Sequence, residues 1–420
     1  MTAPLSLGCC DPGAVPANPT QLLGPLYESA MDARRLRGEK DGEWLPFRAI
    51  ATPAVADLQI RLKAAGFLPN AAARGVFDYR TLSAVRLFQE YVRSVEGLVD
   101  IGVPDGQVGP KTLSHLQRWG QSGKRAEWAE RSPDNAMPAF RYWVRILAMY
   151  QAFNRNAPVT RMLQVAEAYS RPSDTLKIAQ WSADRQAIHL IGVRRQEWVR
   201  APDERRNDDV FVLLVSGVAF AFAGSTDPSP RMADRPDEPF LIRGQHEYRF
   251  GWHLVGKPDR VYRAFRPVRN GVLACRDNVN DNALTDADLA AGLAAVTDIN
   301  IHWSGIGTTN WSAGCQVIGG RRYVNHQSTI VDCSAFAAVS YSGLVPKTRG
   351  AYNVLVDLVT VFAPSNAAAG TGLHYTLLYE GDLGLMVNAN QTLENAARVD
   401  LPAAEIEAFT VPSLVAQLVT

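Results

Sequence analysis

Ile299-Asn300-Ile301-His302-Trp303-Ser304-Gly305-Ile306-Gly307-Thr308-Thr309-Asn310-Trp311-Ser312-Ala313-Gly314-Cys315-Gln316-Val317-Ile318 joins two apolar runs through a loop of small and polar residues. Ile299, Ile301 and Trp303 alternate, which predicts a strand with His302 at its end. Beyond the loop, Trp311-Ser312-Ala313-Gly314-Cys315 opens into the apolar Val317-Ile318. An imidazole and a thiol at element ends, on either side of a loop, can form a base–nucleophile pair. Gly314 lets neighbouring backbone N–H groups turn toward an oxyanion. His302 and Cys315 are therefore the candidate catalytic residues, with Gly314, Ser312 and Gln316 as positioning groups. The competing reading of Cys315 is a core thiol, since unpaired cysteine is among the most buried residue types.

On both sides of this stretch the period is that of strands. Segments Ala187–Val193, Val210–Val215, Val218–Phe222, His246–Leu254, Val261–Phe265, Val272–Cys275, Asn300–Trp303, Tyr352–Phe362 and Leu373–Tyr379 read as strands, with Ser216-Gly217 as a hairpin turn. Asp286–Val296, rich in Ala and Leu, reads as a helix, and a short C-terminal helix is expected at Ala403–Phe409. Many strands and few helices predict a β-rich, sandwich- or barrel-like domain over residues 186–420, within a multidomain α+β chain. His253, after Gly251-Trp252, either lines the cleft or is a satisfied structural histidine. Arg276, followed by Asp277 and Asn278, marks a surface turn or a carboxylate-binding position.

Upstream the period is helical. In residues 52–120, Val55, Leu58 and Leu62 share a face before Gly66, and Asp78 is a natural N-cap. Leu82, Val85, Phe88, Val92 and Val95 form a second apolar face, and Gly109-Pro110 opens a third helix. A small three-helix bundle follows from this pattern. Residues 1–51 read as an extended arm with one short helix near Leu22–Leu36, and 121–185 as a helical linker.

At 420 residues, 47% hydrophobic and 20% charged, the chain is an ordinary globular one with room for more than one domain. A formal net charge of +1 gives no electrostatic case for nucleic acid. Five cysteines are no disulfide framework. No run of about 18 apolar residues is present, so no membrane span is expected. Leu5-Ser6-Leu7-Gly8-Cys9 lacks the basic start and apolar core of a secretory signal, so synthesis in the cytoplasm without a signal peptide is expected.

The helical segment resembles the three-helix peptidoglycan-binding domain in Asp57-Leu58-Gln59, Gly66-Phe67, Gly75-Val76-Phe77-Asp78, Thr81, Ala84-Val85 and Phe88-Gln89. Asp105-Gly106-Gln107-Val108-Gly109-Pro110-Lys111-Thr112 and Leu116 complete the pattern, with a longer loop at Ser94–Pro104. Downstream, Ser225-Thr226-Asp227-Pro228, Gly251-Trp252-His253, Ile301-His302 and Ser312-Ala313-Gly314-Cys315 resemble the catalytic domain of L,D-transpeptidases (YkuD-type). That resemblance implies Cys315 as nucleophile and His302 as base, acting on diaminopimelate-containing stem peptides through a thioester. The acceptor is an amine or water. Ala313 stands where the family often has histidine, and Gln316 also departs from its pattern.

The chemistry so implied needs no cofactor and no metal; His253, His302 and Cys315 are possible zinc ligand types but lack short-spaced pairs. Peptidoglycan is the expected partner, reached by non-classical delivery as a phage-like lysin or injected antibacterial effector, with a delivery machine or immunity protein as further partners. Two alternatives stay open: a catalytically inactive wall-binding component of a phage-like or contractile injection machine, and a zinc-dependent amidase or peptidase.

Overall fold

The computed structural model describes residues 4–14, 50–51, 53–70, 72–156, 160–195, 207–229, 238–253, 262–279, 284–337, 348–364 and 372–419. The helix expected near Leu22–Leu36 lies outside them. The chain is α+β and divides into two compact units, one of Met1–Ser132, Phe250–Ala264 and Ala335–Gly370, the other of Pro133–Arg249, Phe265–Ser334 and Thr371–Thr420.

In the first unit, α1 (Val55–Ala64), α2 (Tyr79–Ser94) and α3 (Pro110–Ser122) form where the apolar spacing predicts helices. The Asp78 carboxylate accepts the Thr81 N–H at 2.7 Å and so starts α2. Ala54 offers α1 no side-chain cap; Asp11 supplies one from the arm, accepting the Val55 and Ala56 N–H groups at 2.8 and 2.9 Å. Phe67, Phe88, Tyr91, Trp119 and Trp128 fill the core, with ring centroids 5.1–5.6 Å apart.

Two glutamines brace this core in the same way. Gln59 Oε1 accepts the Gly75 N–H at 2.9 Å, while its Nε2 donates to Thr81 Oγ1 at 3.0 Å and to the Val76 carbonyl at 2.9 Å. Gln89 Oε1 accepts the Gly106 N–H at 2.9 Å, while its Nε2 donates to Thr112 Oγ1 at 3.1 Å and to the Gln107 carbonyl at 2.9 Å. Gly75 and Gly106 both take positive φ, 73° and 82°, which their turns require. The Gln-Gly-Thr spacing is thus an internal repeat, and the residues that define it serve the fold.

A further helix, Ala351–Phe362, belongs to this unit and packs along α2. It corrects the strand expected at Tyr352–Phe362. Its run of β-branched and apolar residues invites a strand reading, but twelve residues buried almost all round make a helix. Asp357 in the middle of that run forms a bidentate pair with Arg86, at 2.8 Å to Nε and 2.5 Å to Nη2. The Asn70 side-chain amide donates to the carbonyls of Val361, Phe362 and Ala363 at 3.1, 2.8 and 3.2 Å, closing the helix end.

The second unit is β-rich and contains an eight-stranded barrel. The strands in chain order are β1 (His189–Arg194), β2 (Asp209–Val215), β3 (Val218–Ser225), β4 (Gly244–His253, counted with the first unit from Phe250), β5 (Tyr262–Pro267, counted with the second unit from Phe265), β6 (Ile301–Trp303), β7 (Gln316–Val324) and β8 (Leu373–Tyr379). They run in the order β6-β5-β4-β8-β1-β2-β3-β7, and pairing of β7 with β6 closes the ring. The β6–β7 and β8–β1 pairs are parallel. Ser216 and Gly217, both at positive φ, turn β2 into β3 as expected. Helix Pro138–Asn156 and the helices over Leu393–Leu418 cover Ile191, Val193, Val210, Val212 and Leu214 on the outside of the wall.

A three-stranded sheet of Pro239–Leu241, Val272–Arg276 and Leu293–Val296 belongs to the same unit. The helix expected at Asp286–Val296 ends at Ala290. Gly292 turns with φ 94°, and Leu293–Val296 then pairs with Val272–Cys275 as a strand.

Candidate active site

β6 and β7 carry the quoted stretch side by side, with Ile301 opposite Gln316 and His302 opposite Val317. On its other edge β6 meets β5, with Ile301 opposite Phe265. Ile301, Phe265 and Gln316 are fully buried and define the inner face of the wall. Arg266 in β5, and Asn300 and Cys315 immediately before β6 and β7, form the next row, and alternation turns Arg266 to the other face. His302 shares that face. Strand spacing of about 4.8 Å and two residues of rise put the Cα atoms of His302 and Cys315 about 8 Å apart. An imidazole and a thiol can meet across that gap.

Cys315 is half-buried, whereas Cys9, Cys10, Cys275 and Cys333 are buried. Its Sγ donates to the Asp298 carbonyl at 3.2 Å and accepts the Asn300 N–H at 3.3 Å. Burial pushes the thiol pKa up, the Asn300 N–H and the Ser312 hydroxyl oppose the shift, and Asp298 and Arg266 act in opposite directions beside it. Burial pulls the His302 pKa down to about 4 against the hydrogen bond to the Trp303 carbonyl. That bond is 3.0 Å from Nδ1, and a carbonyl only accepts, so Nδ1 carries the proton and Nε2 the lone pair. At neutral pH the pair is a thiol and a neutral imidazole. Proton transfer then has to accompany attack.

The loop before Cys315 is held from several sides. Gly314 takes φ 131°, and a Cβ there would lie 2.6 Å from the Pro239 carbonyl oxygen, so glycine is required. Its N–H donates to Ser312 Oγ at 3.3 Å, so an oxyanion would have to displace that bond. Asn310 accepts the Ser312 N–H at 2.7 Å and donates to Ser225 Oγ at 3.0 Å. Gln316 does not face the thiol. Its Nε2 donates to the Thr226 carbonyl at 3.1 Å and its Oε1 accepts the Tyr375 hydroxyl at 2.8 Å, which fixes the strand behind Cys315.

Arg276 ends a strand of the smaller sheet opposite Pro239, the residue that abuts Gly314. His253 falls in the first unit, where its ring lies 5.4 Å from Tyr262. The sequence reading missed Arg266, Asn300 and Asp298 as neighbours of the thiol. Alternation along β5 would have put Arg266 on the same side as Cys315 had the pairing been known.

No group of three or more His, Cys, Asp or Glu side chains able to hold a metal occurs among the described residues. None of the described helices is long and apolar enough to cross a membrane. No curated protein and no solved structure matches the chain. Residues 51–116 match the model of the family described as "Putative peptidoglycan binding domain", which supports a peptidoglycan-binding domain there and peptidoglycan as a partner.

Proposed function

We propose that the chain is a cysteine-dependent acyl transferase or peptidase of L,D-transpeptidase type acting on peptidoglycan stem peptides. What supports this reading is that Cys315, the one cysteine of the five that is not buried, directly precedes the strand that runs parallel to the strand carrying His302. The wall-binding domain in the same chain raises the local concentration of stem peptide. Cys315 Sγ attacks the acyl carbon as its proton passes to His302 Nε2. The tetrahedral intermediate collapses with cleavage of the C–N bond, and His302 returns the proton to the leaving amine. An amine or water then opens the thioester and restores the thiol. A phage-like lysin or an injected antibacterial effector fits this pairing of modules.

The test is incubation of the full chain with purified diaminopimelate-type muropeptides, with wild type, Cys315→Ala and a chelator in parallel arms. Loss of the terminal residue or a new cross-link that vanishes in Cys315→Ala and survives chelation is the expected result. A second reading, a wall-gripping protein without catalysis, is favoured by the bond that turns the thiol onto the Asp298 carbonyl. Sacculus binding with unchanged muropeptides would establish that reading instead.

A further inference from the structure

Arg194, Asp209, Thr226 and Gln316 meet at one end of the barrel, where β1 and β3 finish and β2 and β7 start. Asp209 is 2% exposed. Its Oδ2 accepts the Thr226 N–H and the Thr226 hydroxyl, both at 2.7 Å, and its Oδ1 accepts the Arg195 N–H at 2.8 Å. The Thr226 hydroxyl oxygen in turn accepts Arg194 Nε at 2.9 Å. The Thr226 carbonyl accepts Arg194 Nη2 at 2.5 Å and Gln316 Nε2 at 3.1 Å. Arg194 is fully buried and pairs with Asp227 at 3.0 Å, so one guanidinium stands between two carboxylates. Asp208 adds a third negative charge, while the Arg195 guanidinium faces Glu380 at 3.7 Å and Arg243 pairs with Asp382 at 2.7 Å. Burial, then Asp227 and Asp208, push the Asp209 carboxyl up to about 7 against the N–H groups of Arg195 and Thr226. Burial also raises the phenols of Tyr375 and Tyr379 and pulls His246 down to about 3, so none of them titrates in the same range.

As a carboxylate, Asp209 accepts three bonds, and all three partner groups donate. With a proton it has to donate one itself, and of those partners only Thr226 Oγ1 has a lone pair to take it. The hydroxyl then turns its own hydrogen away, beside an Arg194 that already donates to it. The Thr226 carbonyl is the next link, because it holds Gln316, the residue directly after Cys315. We propose that Asp209, Thr226 and Arg194 are positioning residues for Cys315, and that the charge on Asp209 sets, through Thr226 and Gln316, how the thiol is presented. The proton is exchanged with water, and only hydrogen bonds change. In the charged form every bond of the chain is in place, so the strand after the thiol is held most firmly. The firmer hold and the added negative charge both slow the thiol toward a small reagent. The bearing of the network on turnover rests on the acyl-transfer reading; its hold on the thiol does not.

Asp209→Asn keeps the shape of the side chain and fixes the site in its uncharged form, with Nδ2 able to donate to Thr226 Oγ1. Alkylation of Cys315 in the full chain by iodoacetamide is followed from pH 6 to pH 8.5, with Cys315→Ala as blank. The rate of Asp209→Asn is expected to equal that of wild type at pH 6, where both sites are neutral, and to exceed it about twofold at pH 8.5. Thr226→Val cuts the chain and should shrink that step, whereas Thr226→Ser restores the hydroxyl and should bring it back. A rate ratio that stays constant from pH 6 to pH 8.5, or a step of full size with valine at 226, would overturn the proposal, since a merely structural carboxylate moves no pH profile. Should Asp209→Asn not fold, the rate of Thr226→Val relative to Thr226→Ser takes its place, and a ratio that is flat over the same interval overturns the proposal equally. On diaminopimelate-type muropeptides the step is expected in kcat, with KM unchanged. A step in alkylation without any turnover would leave the network standing and end the acyl-transfer reading. Turnover with a flat alkylation ratio would do the reverse.

Discussion

Both units hold Arg–Asp pairs, and Arg86–Asp357 in the first and Arg266–Asp298 in the second do opposite things. Arg86 and Asp357 are 12% and 1% exposed in their side chains and meet through two parallel bonds between helices. Arg266 and Asp298 are 38% and 79% exposed and share one bond of 2.9 Å beside a thiol. In the first pair the carboxylate holds the guanidinium charged against its burial, so neither partner can leave without stranding a charge. In the second, water replaces either partner at little cost. The same two residue types are a fastener where they are buried and a loosely held surface pair where they are not.

The largest effect expected is therefore in the first unit. Asp357→Asn leaves the Arg86 guanidinium buried without its counter-charge, and the expected loss is about 3–5 kcal/mol in denaturant unfolding. The double variant Arg86→Met/Asp357→Leu should recover most of it, since an apolar pair fills the same interior. A single variant costing under about 1 kcal/mol would mean that water reaches the pair, and the contrast with the second unit would fail.

The thiol reports on the other side of the contrast. At Cys315 and at Asp357 alike burial outweighs the neighbouring guanidinium, and both groups titrate above their usual range. The thiolate is then the minor form at pH 7. The rate of iodoacetamide alkylation at Cys315 should climb about tenfold per pH unit through pH 8 without levelling there. A plateau below pH 8 would mean that Arg266 or a protonated His302 dominates the site. It would also replace the neutral pair, in which His302 stays uncharged down to about pH 4, with a resting ion pair.

What the sequence disclosed divides along similar lines. Local signals were sufficient for α2, where Asp78 caps and the apolar face repeats, and for the Ser216-Gly217 hairpin. They were sufficient too for the wall-binding pattern, because Gln59, Gly75 and Thr81 sit close in sequence as well as in space. They misled at Tyr352–Phe362, where a helix buried all round has no polar face to betray its period. Neither the closure of β6 on β7 nor the row through Arg266 and Asn300 could be read, since strand order is a long-range property. His302 and Cys315 stood out by residue type; the neighbours that tune them belong to strands more than thirty residues upstream of Asp298 in the case of Arg266.

The smallest stability change is expected at Asp298, and there its smallness is the informative quantity. Asp298→Asn removes the one carboxylate paired with Arg266 among the described residues, yet the pair is exposed, so unfolding free energy should move by no more than about 0.5 kcal/mol. The thiol should nevertheless respond. Asp298 raises its pKa and Arg266 lowers it, so loss of the carboxylate shifts the alkylation midpoint down, and Arg266→Gln shifts it up. Opposite shifts at nearly constant stability are the signature of a pair whose work is electrostatic and directed at the neighbouring sulfur. If Asp298→Asn instead destabilised the protein as Asp357→Asn should, the carboxylate would be a fastener after all, and the contrast between the two pairs would fail.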